Sequence, residues 1–273
     1  MKLSVFADEI SPDFDRQLEA MKQEGLSYLE LRSIGGKGVL NMKEEELEEV
    51  KVCLDGHDIK ISGIASPIGK YPISEDFKPH LERFRRAVEI ARFFETNHIR
   101  VFSYYIPKGE DPAQYRDEVL RRMSIQTEEA QKAGLVLLNE NEKGLYGDKP
   151  QRCLDVLSAI NSKNLRAVFD FANFVQAGVK PYTEAFPLLA DYIECIHIKD
   201  ALFSTGKVVP IGEGDGEAKE VLMALKNRGF EGFLILEPHL VSGGESLAEK
   251  GPQQFHRAAK ALKHLLEECG IEF

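Results

Sequence analysis

The sequence is poor in the residues that mark several large classes of protein. It has four cysteines, no tryptophan and no apolar run near the roughly 20 residues that a membrane-spanning helix needs. The cysteines are scattered without a Cys-x-x-Cys pair, which argues against a structural zinc site and is typical of reduced thiols. The first residues, MKLSVFADEIS, reach acidic side chains too early for a signal peptide. These absences predict a cytoplasmic protein with no membrane partner.

Positive charge is also scarce. The 273 residues include 35 lysines and arginines against 45 aspartates and glutamates, which gives a formal net charge of −10. Such a balance opposes non-specific attraction to nucleic acid. The length suits one large α/β domain or two average domains. We therefore predict a small molecule as the partner rather than nucleic acid, and self-association into a homo-oligomer stays open.

Apolar segments rich in Val, Ile and Phe alternate with segments of helical periodicity along the whole chain. Near-continuous apolar runs are typical of parallel strands that are covered on both faces. Eight such runs occur, at residues 2–8, 28–33, 60–67, 99–105, 135–142, 165–171, 193–200 and 232–238. Eight strand–helix units predict an α/β fold, a single (β/α)8 TIM barrel that takes residues 1–273 as one domain. A doubly wound sheet is less favoured, because no Gly-x-Gly-x-x-Gly motif follows the first run.

Polar residues follow several of the predicted strands directly, at the end where TIM barrels place their active sites. In LVLLNENE (135–142) an apolar run leads straight into two acids, although a buried carboxylate is costly unless it is paired or binds a metal. Three carboxylates and one imidazole would meet at the rim formed by predicted strands five to eight: Glu140, Asp170, His197 and Glu237. This set predicts a site for one divalent metal ion, and ligand type does not choose among Mn, Mg, Co and Zn.

Other polar residues at this rim have structural roles as alternatives. Asp8, Glu9 and Asp200 could each cap the following helix instead of facing a site. His239 would add a second imidazole if its side chain turned inward. The other five histidines fall in helices, loops or strand starts, so we interpret them as surface or packing residues.

Two cations at the rim are candidates for substrate binding. Arg32 and Lys199 stand where they could orient substrate oxygens. The alternative for either is an ion pair, with Glu30 or Asp200 as the nearby acid. The sequence leaves both interpretations open.

The motifs around these residues resemble those of a known family. Glu140 in LLNENE, Asp170 in FDFAN, His197 in HIKD and Glu237 in ILEP are similar to the xylose isomerase-like TIM barrels, and so is VPIGEGDGE at 209–217. This superfamily includes the sugar phosphate isomerase/epimerase proteins, and the resemblance covers essentially the whole chain. It implies that the four residues are metal ligands and that Glu140 and Glu237 are also the catalytic acid/base pair. It does not choose among the members of the superfamily.

Two positions depart from the pattern of the ketose 3-epimerases. Asn173 stands where many relatives have a histidine near the substrate, and we take it as a substrate-binding candidate. Tyr146, six residues after Glu140, replaces a second glutamate of those epimerases. These departures weaken a detailed substrate analogy.

The residues predict a metal-dependent sugar or polyol isomerase or epimerase. A divalent ion that chelates a carbonyl and its neighbouring hydroxyl acidifies the proton between them, and two glutamates can move that proton through an enediolate. A dehydratase of a cyclic keto-polyol, of the inosose or 3-dehydroshikimate type, is an alternative with the same first step. A non-catalytic sugar-binding barrel has no need of paired carboxylates. An enzyme similar to endonuclease IV would need more histidine ligands and a basic face.

The loop after predicted strand seven indicates a substrate without phosphate. TIM barrels often bind phosphate with the loops after strands seven and eight. Here the loop carries Glu213, Asp215 and Glu217, and it contains no arginine. Acids repel a dianion at short range. We therefore expect an unphosphorylated polyol or cyclic keto-acid.

Overall fold

Eight parallel strands form a closed barrel at the centre of the molecule. The structure is a computed structural model that describes residues 1–241 and 243–273. The barrel strands are β1 (Lys2–Val5), β2 (Tyr28–Leu31), β3 (Lys60–Ile64), β4 (His98–Val101), β5 (Val136–Glu140), β6 (Leu165–Asp170), β7 (Ile193–Ile198) and β8 (Phe233–Leu236). They follow one another in chain order around the barrel, which closes where β8 pairs with β1. The predicted TIM barrel fold is confirmed.

Helices surround the barrel. They are α1 (Phe14–Gln23), α2 (Glu44–Gly56), α3 (Phe77–Phe93), α4 (Arg116–Ala133), α5 (Pro150–Ile160), α6 (Phe171–Gln176), α7 (Phe186–Leu189), α8 (Ala218–Asn227) and α9 (Leu247–Glu268). Each of the longer helices buries one apolar stripe against the strands, as Phe255, Leu262 and Leu266 do in α9. In the described part of the chain, no helix is both long and apolar enough to cross a membrane.

Short elements complete the connections. Two small antiparallel hairpins lie beyond the barrel strands, Ser33–Ile34 with Lys37–Gly38 after β2 and Asp200–Ala201 with Val208–Val209 after β7. Single turns of 3-10 helix occur at Ala7–Glu9, Val39–Asn41, Pro112–Tyr115 and Tyr146–Asp148, and a π-helical turn occurs at Pro181–Ala185.

The strands are shorter than the sequence predicts, and the excess lies at their carboxyl ends. The apolar run 99–105 is typical of a strand throughout, yet β4 ends at Val101. Beyond that point the backbone leaves the barrel ladder, because the N–H of Phe102 donates to the carbonyl of Ile68 in the loop after β3. These loops are apolar because their side chains are buried around the mouth. The predicted strand bounds were wrong there.

Side-chain alternation along the strands fills the barrel with one apolar layer. Successive residues of a strand point to opposite faces, so every second side chain points inward. The layer consists of Phe6, Ala65, Leu138, Val168, Cys195 and Ile235. Four of its members each stand two residues before a polar side chain: Leu138 before Glu140, Val168 before Asp170, Cys195 before His197 and Ile235 before Glu237. The same alternation therefore packs the interior and delivers those polar side chains to the mouth.

A buried carboxylate closes the loop after β7. Asp200 is fully buried, and its two oxygens accept backbone N–H groups at 2.8–3.1 Å from Ala201, Gly212, Gly214 and Gly216. A Cβ atom at Gly214 or Gly216 would lie 2.5 Å from Asp200 Oδ1, so only glycine fits at those two positions. The helix-capping alternative for Asp200 was wrong, because the carboxylate binds the loop itself.

We expect Asp200→Asn to lower the free energy of unfolding by about 2–4 kcal/mol, because the amide turns N–H donors toward buried backbone donors. Urea unfolding followed by circular dichroism measures this change. Asp215→Asn is the matched control, since the exposed carboxylate of Asp215 accepts only the N–H of Phe203 among the described contacts of this loop. Equal, small losses in the two variants would show that the Asp200 contacts do not stabilise the fold.

Candidate metal centre

Four side chains from neighbouring strands meet at the mouth of the barrel. Glu140, Asp170 and His197 lie on β5, β6 and β7, and Glu237 follows β8 directly. One nitrogen or oxygen atom of each lies within 4.8 Å of the corresponding atoms of the others, and all four side chains are buried. From His197 Nδ1 the distances are 3.2 Å to Glu140 Oε1, 3.4 Å to Glu237 Oε2 and 3.6 Å to Asp170 Oδ2. We call these four residues the ligand cluster.

Cations keep the buried carboxylates ionised. Burial raises the pKa of Glu140, but the positive charges of His197 and Arg100 outweigh that effect and hold the pKa at about 2. Burial raises the pKa of Glu237 too, and Lys199 together with His197 holds it well below the ordinary value. Burial lowers the pKa of His197, and the surrounding carboxylates raise it to about 9. Without a metal, the cluster is therefore a buried set of opposite charges.

Several atoms of the ligand cluster suit a divalent cation. Among the described residues 1–241 and 243–273, His197 Nε2 is buried and has no hydrogen-bond partner, while Glu140 Oε2, Asp170 Oδ2 and His197 Nδ1 are held only by ion pairs. Buried polar atoms are usually paired, so such a group of atoms indicates a missing partner. Carboxylate oxygen and imidazole nitrogen are ordinary ligands of Mn²⁺, Mg²⁺, Co²⁺ and Zn²⁺. The residues present fit a metal ion.

Lys199 lies against the ligand cluster. Its Nζ is 2.8 Å from Glu237 Oε2 and 3.0 Å from Asp170 Oδ2, and the side chain is buried. The sequence alternative that paired Lys199 with Asp200 was wrong, since Asp200 is taken up by the loop after β7. The ammonium group instead neutralises part of the cluster.

Arg32 contacts the carboxylate oxygen of Glu237 that Lys199 does not contact. The guanidinium lies 3.3 Å from Glu237 Oε1, 2.8 Å from Asp8 Oδ2 and 2.9 Å from Glu9 Oε1. Its partners are therefore not Glu30, which the sequence alternative named, and Asp8 and Glu9 bind Arg32 instead of capping a helix. Arg32 and Lys199 together fix the orientation of the Glu237 carboxylate.

Glu30 lies deeper in the barrel. It is buried and accepts a hydrogen bond from Ser62 Oγ at 2.7 Å, and burial raises the pKa of its carboxyl group. Ser62 in turn lies 2.6 Å from Ser4 Oγ. Glu30 therefore belongs to an internal polar group beneath the mouth.

His239 stands beside the ligand cluster. Its Nδ1 is 2.9 Å from Glu9 Oε1 and 3.4 Å from Glu237 Oε1, and 47% of its side chain is exposed. Neighbouring carboxylates raise the pKa of its ring although burial lowers it. The second imidazole thus approaches Glu237 from the solvent side and lies outside the four-residue cluster.

Sequence reasoning missed Arg100. This residue of β4 is buried, its Nη1 lies 3.3 Å from Glu140 Oε2, and its guanidinium lies over the rings of Phe6 and Phe102. The signal was present, because Arg100 is a charged residue inside the apolar run 99–105. Arg100 also shares one face of the strand with His98, two residues before it.

Asn173 supports two members of the ligand cluster. Its backbone N–H donates to Asp170 Oδ1 at 2.8 Å, which caps α6, and its Nδ2 donates to Glu140 Oε1 at 3.1 Å and to the carbonyl of Asn141 at 2.9 Å. Its predicted contact with substrate stays a prediction. Tyr146, the other departure, directs its hydroxyl to Asp155 on α5.

A cavity of about 420 Å³ opens from the ligand cluster to the surface. Its wall includes Glu140 and Glu237, and its volume suits a small molecule. A larger cavity of about 560 Å³ lies at the opposite end of the barrel, beside Lys2, Lys60 and His98. The buried carboxylates Glu140 and Glu237 line the smaller cavity, and we call it the mouth cavity.

Comparison with known proteins gives the family. The model of the xylose isomerase-like TIM barrel family matches residues 18–267, so the chain belongs to this family. The sequence is 23% identical over 178 residues to a 3-dehydroshikimate dehydratase of Bacillus anthracis, a match that covers 65% of this chain and 63% of that protein. A solved D-tagatose 3-epimerase-like protein superposes with a TM-score of 0.81 at 21% identity, covering 99% of this chain and 98% of that one. The IolI protein with a bound zinc atom gives 0.79 at 17% identity, covering 98% and 99%.

We expect Asp170→Asn to lose its divalent metal, because one anionic ligand is removed, while the amide oxygen still accepts the N–H of Asn173 and the fold remains. Elemental analysis after dialysis should give about one ion per chain for the unaltered protein and near zero for the variant. Glu142→Gln is the matched control, because Glu142 pairs with Lys70 outside the ligand cluster.

A full metal content in Asp170→Asn would remove this residue from the site. An unaltered protein without metal would favour the non-catalytic barrel, and about three ions per chain would favour a nuclease-like site.

Metal affinity should rise with pH. A metal ion binds neutral imidazole, and the pKa of His197 in the metal-free cluster is about 9, so below that pH the metal must displace a proton. The apparent dissociation constant should therefore increase about tenfold for each pH unit between pH 8 and pH 6. Competition with a chelator of known affinity measures it. A constant affinity across this range would contradict the protonated His197.

Proposed function

We propose that the protein is a divalent-metal-dependent enzyme that moves a proton next to a carbonyl group of a small sugar or polyol, as an isomerase or epimerase does. The observation that carries this proposal is the pair Glu140 and Glu237. Both carboxylates are buried, ionised and within 4.8 Å of the other members of the ligand cluster. Strands β6 and β7 separate β5 from β8, so the two carboxylates enter the cluster from different sides.

The side chains around these glutamates suit proton transfer. A divalent ion, when bound, would polarise the substrate carbonyl and acidify the neighbouring C–H group. Glu140 and Glu237 are unprotonated, so either can accept the proton from carbon. Return of the proton to the same carbon from the other face epimerises the substrate, and return to the adjacent carbon isomerises it.

Each glutamate is held in place by its own partners. Arg100 and Asn173 contact the two oxygens of Glu140 at 3.3 Å and 3.1 Å. Arg32 and Lys199 contact the two oxygens of Glu237 at 3.3 Å and 2.8 Å. Because the carboxylates are held in place, the path of the proton stays short, and this positioning lowers the activation barrier. The Lys199 ammonium can also stabilise negative charge that develops on a substrate oxygen.

A dehydratase of a cyclic keto-polyol is the second candidate. The similarity to a 3-dehydroshikimate dehydratase over 65% of the chain favours it. The first step is the same, removal of a proton beside a carbonyl. Loss of the β-hydroxyl then replaces return of the proton.

The loop after β7 supports a substrate without phosphate. The N–H groups of Gly212, Gly214 and Gly216 could have formed a phosphate site, but the carboxylate of Asp200 takes all three. The acids of the loop repel a phosphate less strongly than their number indicates, because two of them already have partners. Glu213 pairs with Arg257, and Glu217 accepts hydrogen bonds from residues 182 and 183.

Deuterium exchange tests the proposed function. Metal-loaded protein is incubated in D₂O with D-tagatose, an inosose and 3-dehydroshikimate, and mass spectrometry reports any substrate whose carbon-bound proton is exchanged. We expect exchange with at least one of them. Glu140→Gln and Glu237→Gln should each slow it about 10²- to 10⁴-fold, since each removes a group that transfers the proton.

Glu129→Gln is the control, because this carboxylate on α4 pairs with Arg85 on α3 and does not line the mouth cavity. Its exchange rate should match that of the unaltered protein. Full activity in Glu237→Gln would remove that residue from the chemistry. Bound metal without exchange in any substrate would favour a binding protein.

A further inference from the structure

The outer wall of the mouth cavity is built from elements that carry no member of the ligand cluster. Residues 38–40, at the start of the 3-10 turn after β2, form part of it. Arg83, two turns into α3, forms another part. This wall extends the site beyond the reacting centre, so it can contact a part of the substrate that does not react.

The cations of the mouth cavity fall into two kinds. Four of them contact at least one carboxylate: Arg32 with Asp8 and Glu9, Lys70 with Glu142, Arg100 with Glu140, and Lys199 with Asp170 and Glu237. Arg83 is different. Within residues 1–241 and 243–273 it forms no ion pair, and its described hydrogen bond runs from Nη2 to Asn41 Oδ1 at 3.0 Å. Among the described residues, the exposed guanidinium of Arg83 is therefore a cation of the cavity wall that pairs with no acid.

The next two arginines of α3 do pair with acids. Arg85 pairs with Glu82 and Glu129, and Arg86 pairs with Glu44 and Glu89. The chain has ten more acids than lysines and arginines, so acidic partners are abundant. Arg83 alone of these three arginines faces the mouth cavity.

Asn41 holds Arg83 without neutralising it. An amide oxygen accepts one N–H group and leaves the others of the guanidinium for a ligand. The planar guanidinium matches a carboxylate, which it binds with two parallel hydrogen bonds. A carboxylate bound to Arg83 in this way would fix the end of the substrate that lies away from the ligand cluster.

We propose that Arg83, positioned by Asn41, binds a carboxylate group of the substrate while the hydroxyketone end of the same molecule lies at the ligand cluster. The substrate class is then a small hydroxyketone acid. This inference rests on the proposed function, because it takes the ligand cluster as the reacting end. A carboxylate is assigned rather than a phosphate because the loop after β7 offers a phosphate no backbone N–H groups: Asp200 accepts those of its three glycines.

Two probes of the same shape, one with a carboxylate and one with a neutral carboxamide, test the proposal. 3,4-Dihydroxybenzoate and 3,4-dihydroxybenzamide share a ring and two adjacent hydroxyls that can chelate a divalent ion. Calorimetry with the metal-loaded protein should show about tenfold tighter binding of the benzoate. Arg83→Gln should remove that preference and leave the affinity for the benzamide unchanged, whereas Arg85→Gln, on the same helix, should leave both affinities unchanged.

Three results would overturn the proposal: no binding of the benzoate, equal affinities for the two probes, or the same loss of benzoate affinity in both variants. Circular dichroism of each variant reports whether it is folded. Asn41→Ala should weaken the benzoate less than Arg83→Gln, since it frees the guanidinium without removing it.

The deuterium experiment separates this proposal from the proposed function. Exchange of neutral D-tagatose at the same rate in Arg83→Gln and the unaltered protein, without exchange of 3-dehydroshikimate, would overturn the role of Arg83 and leave the proton-transfer function in place. A charge preference that Arg83→Gln removes, without exchange in any substrate, would support the carboxylate site and remove the enzymatic function.

Discussion

The attraction between buried carboxylates and buried cations at the barrel mouth is the constraint on which the site depends. Glu140 and Glu237 could not stay ionised together in this buried environment without compensating charge. Arg100, Lys199 and His197 supply it from the same rim. A divalent ion would take over part of this task, and the proton on His197 would then leave.

The barrel architecture explains how residues far apart in the sequence meet there. Each of β5, β6, β7 and β8 places an apolar side chain in the interior layer and a polar side chain two residues later. Asp170 pairs with His197, whereas Glu140 pairs with Val168 and His197 with Ile235. The stagger of the tilted barrel strands therefore brings these second side chains together at the mouth. The apolar layer also forms a dry floor, which strengthens every electrostatic interaction above it.

The fold and the ligand cluster could be predicted from the sequence because both depend on local pattern. Apolar runs mark the strands, and an acid or histidine at the end of a run marks the mouth. Partners across the barrel could not be predicted this way. Proximity in sequence offers Glu30 as the alternative partner of Arg32, and Asp200 as that of Lys199. The structure instead selects acids that are close in space: Asp8, Glu9 and Glu237 for Arg32, and Asp170 and Glu237 for Lys199. Arg100 was missed because an arginine inside an apolar run does not interrupt the strand pattern.

The most direct test of the ligand cluster is anomalous diffraction from a crystal soaked in Mn²⁺. Our account predicts one strong peak about 2.0–2.3 Å from an oxygen or nitrogen atom of each of Glu140, Asp170, His197 and Glu237. Lys199 should then contact at most one of its two carboxylates, because the ion neutralises the other. A peak among Glu9, Glu237 and His239 instead, or none at the mouth, would contradict it.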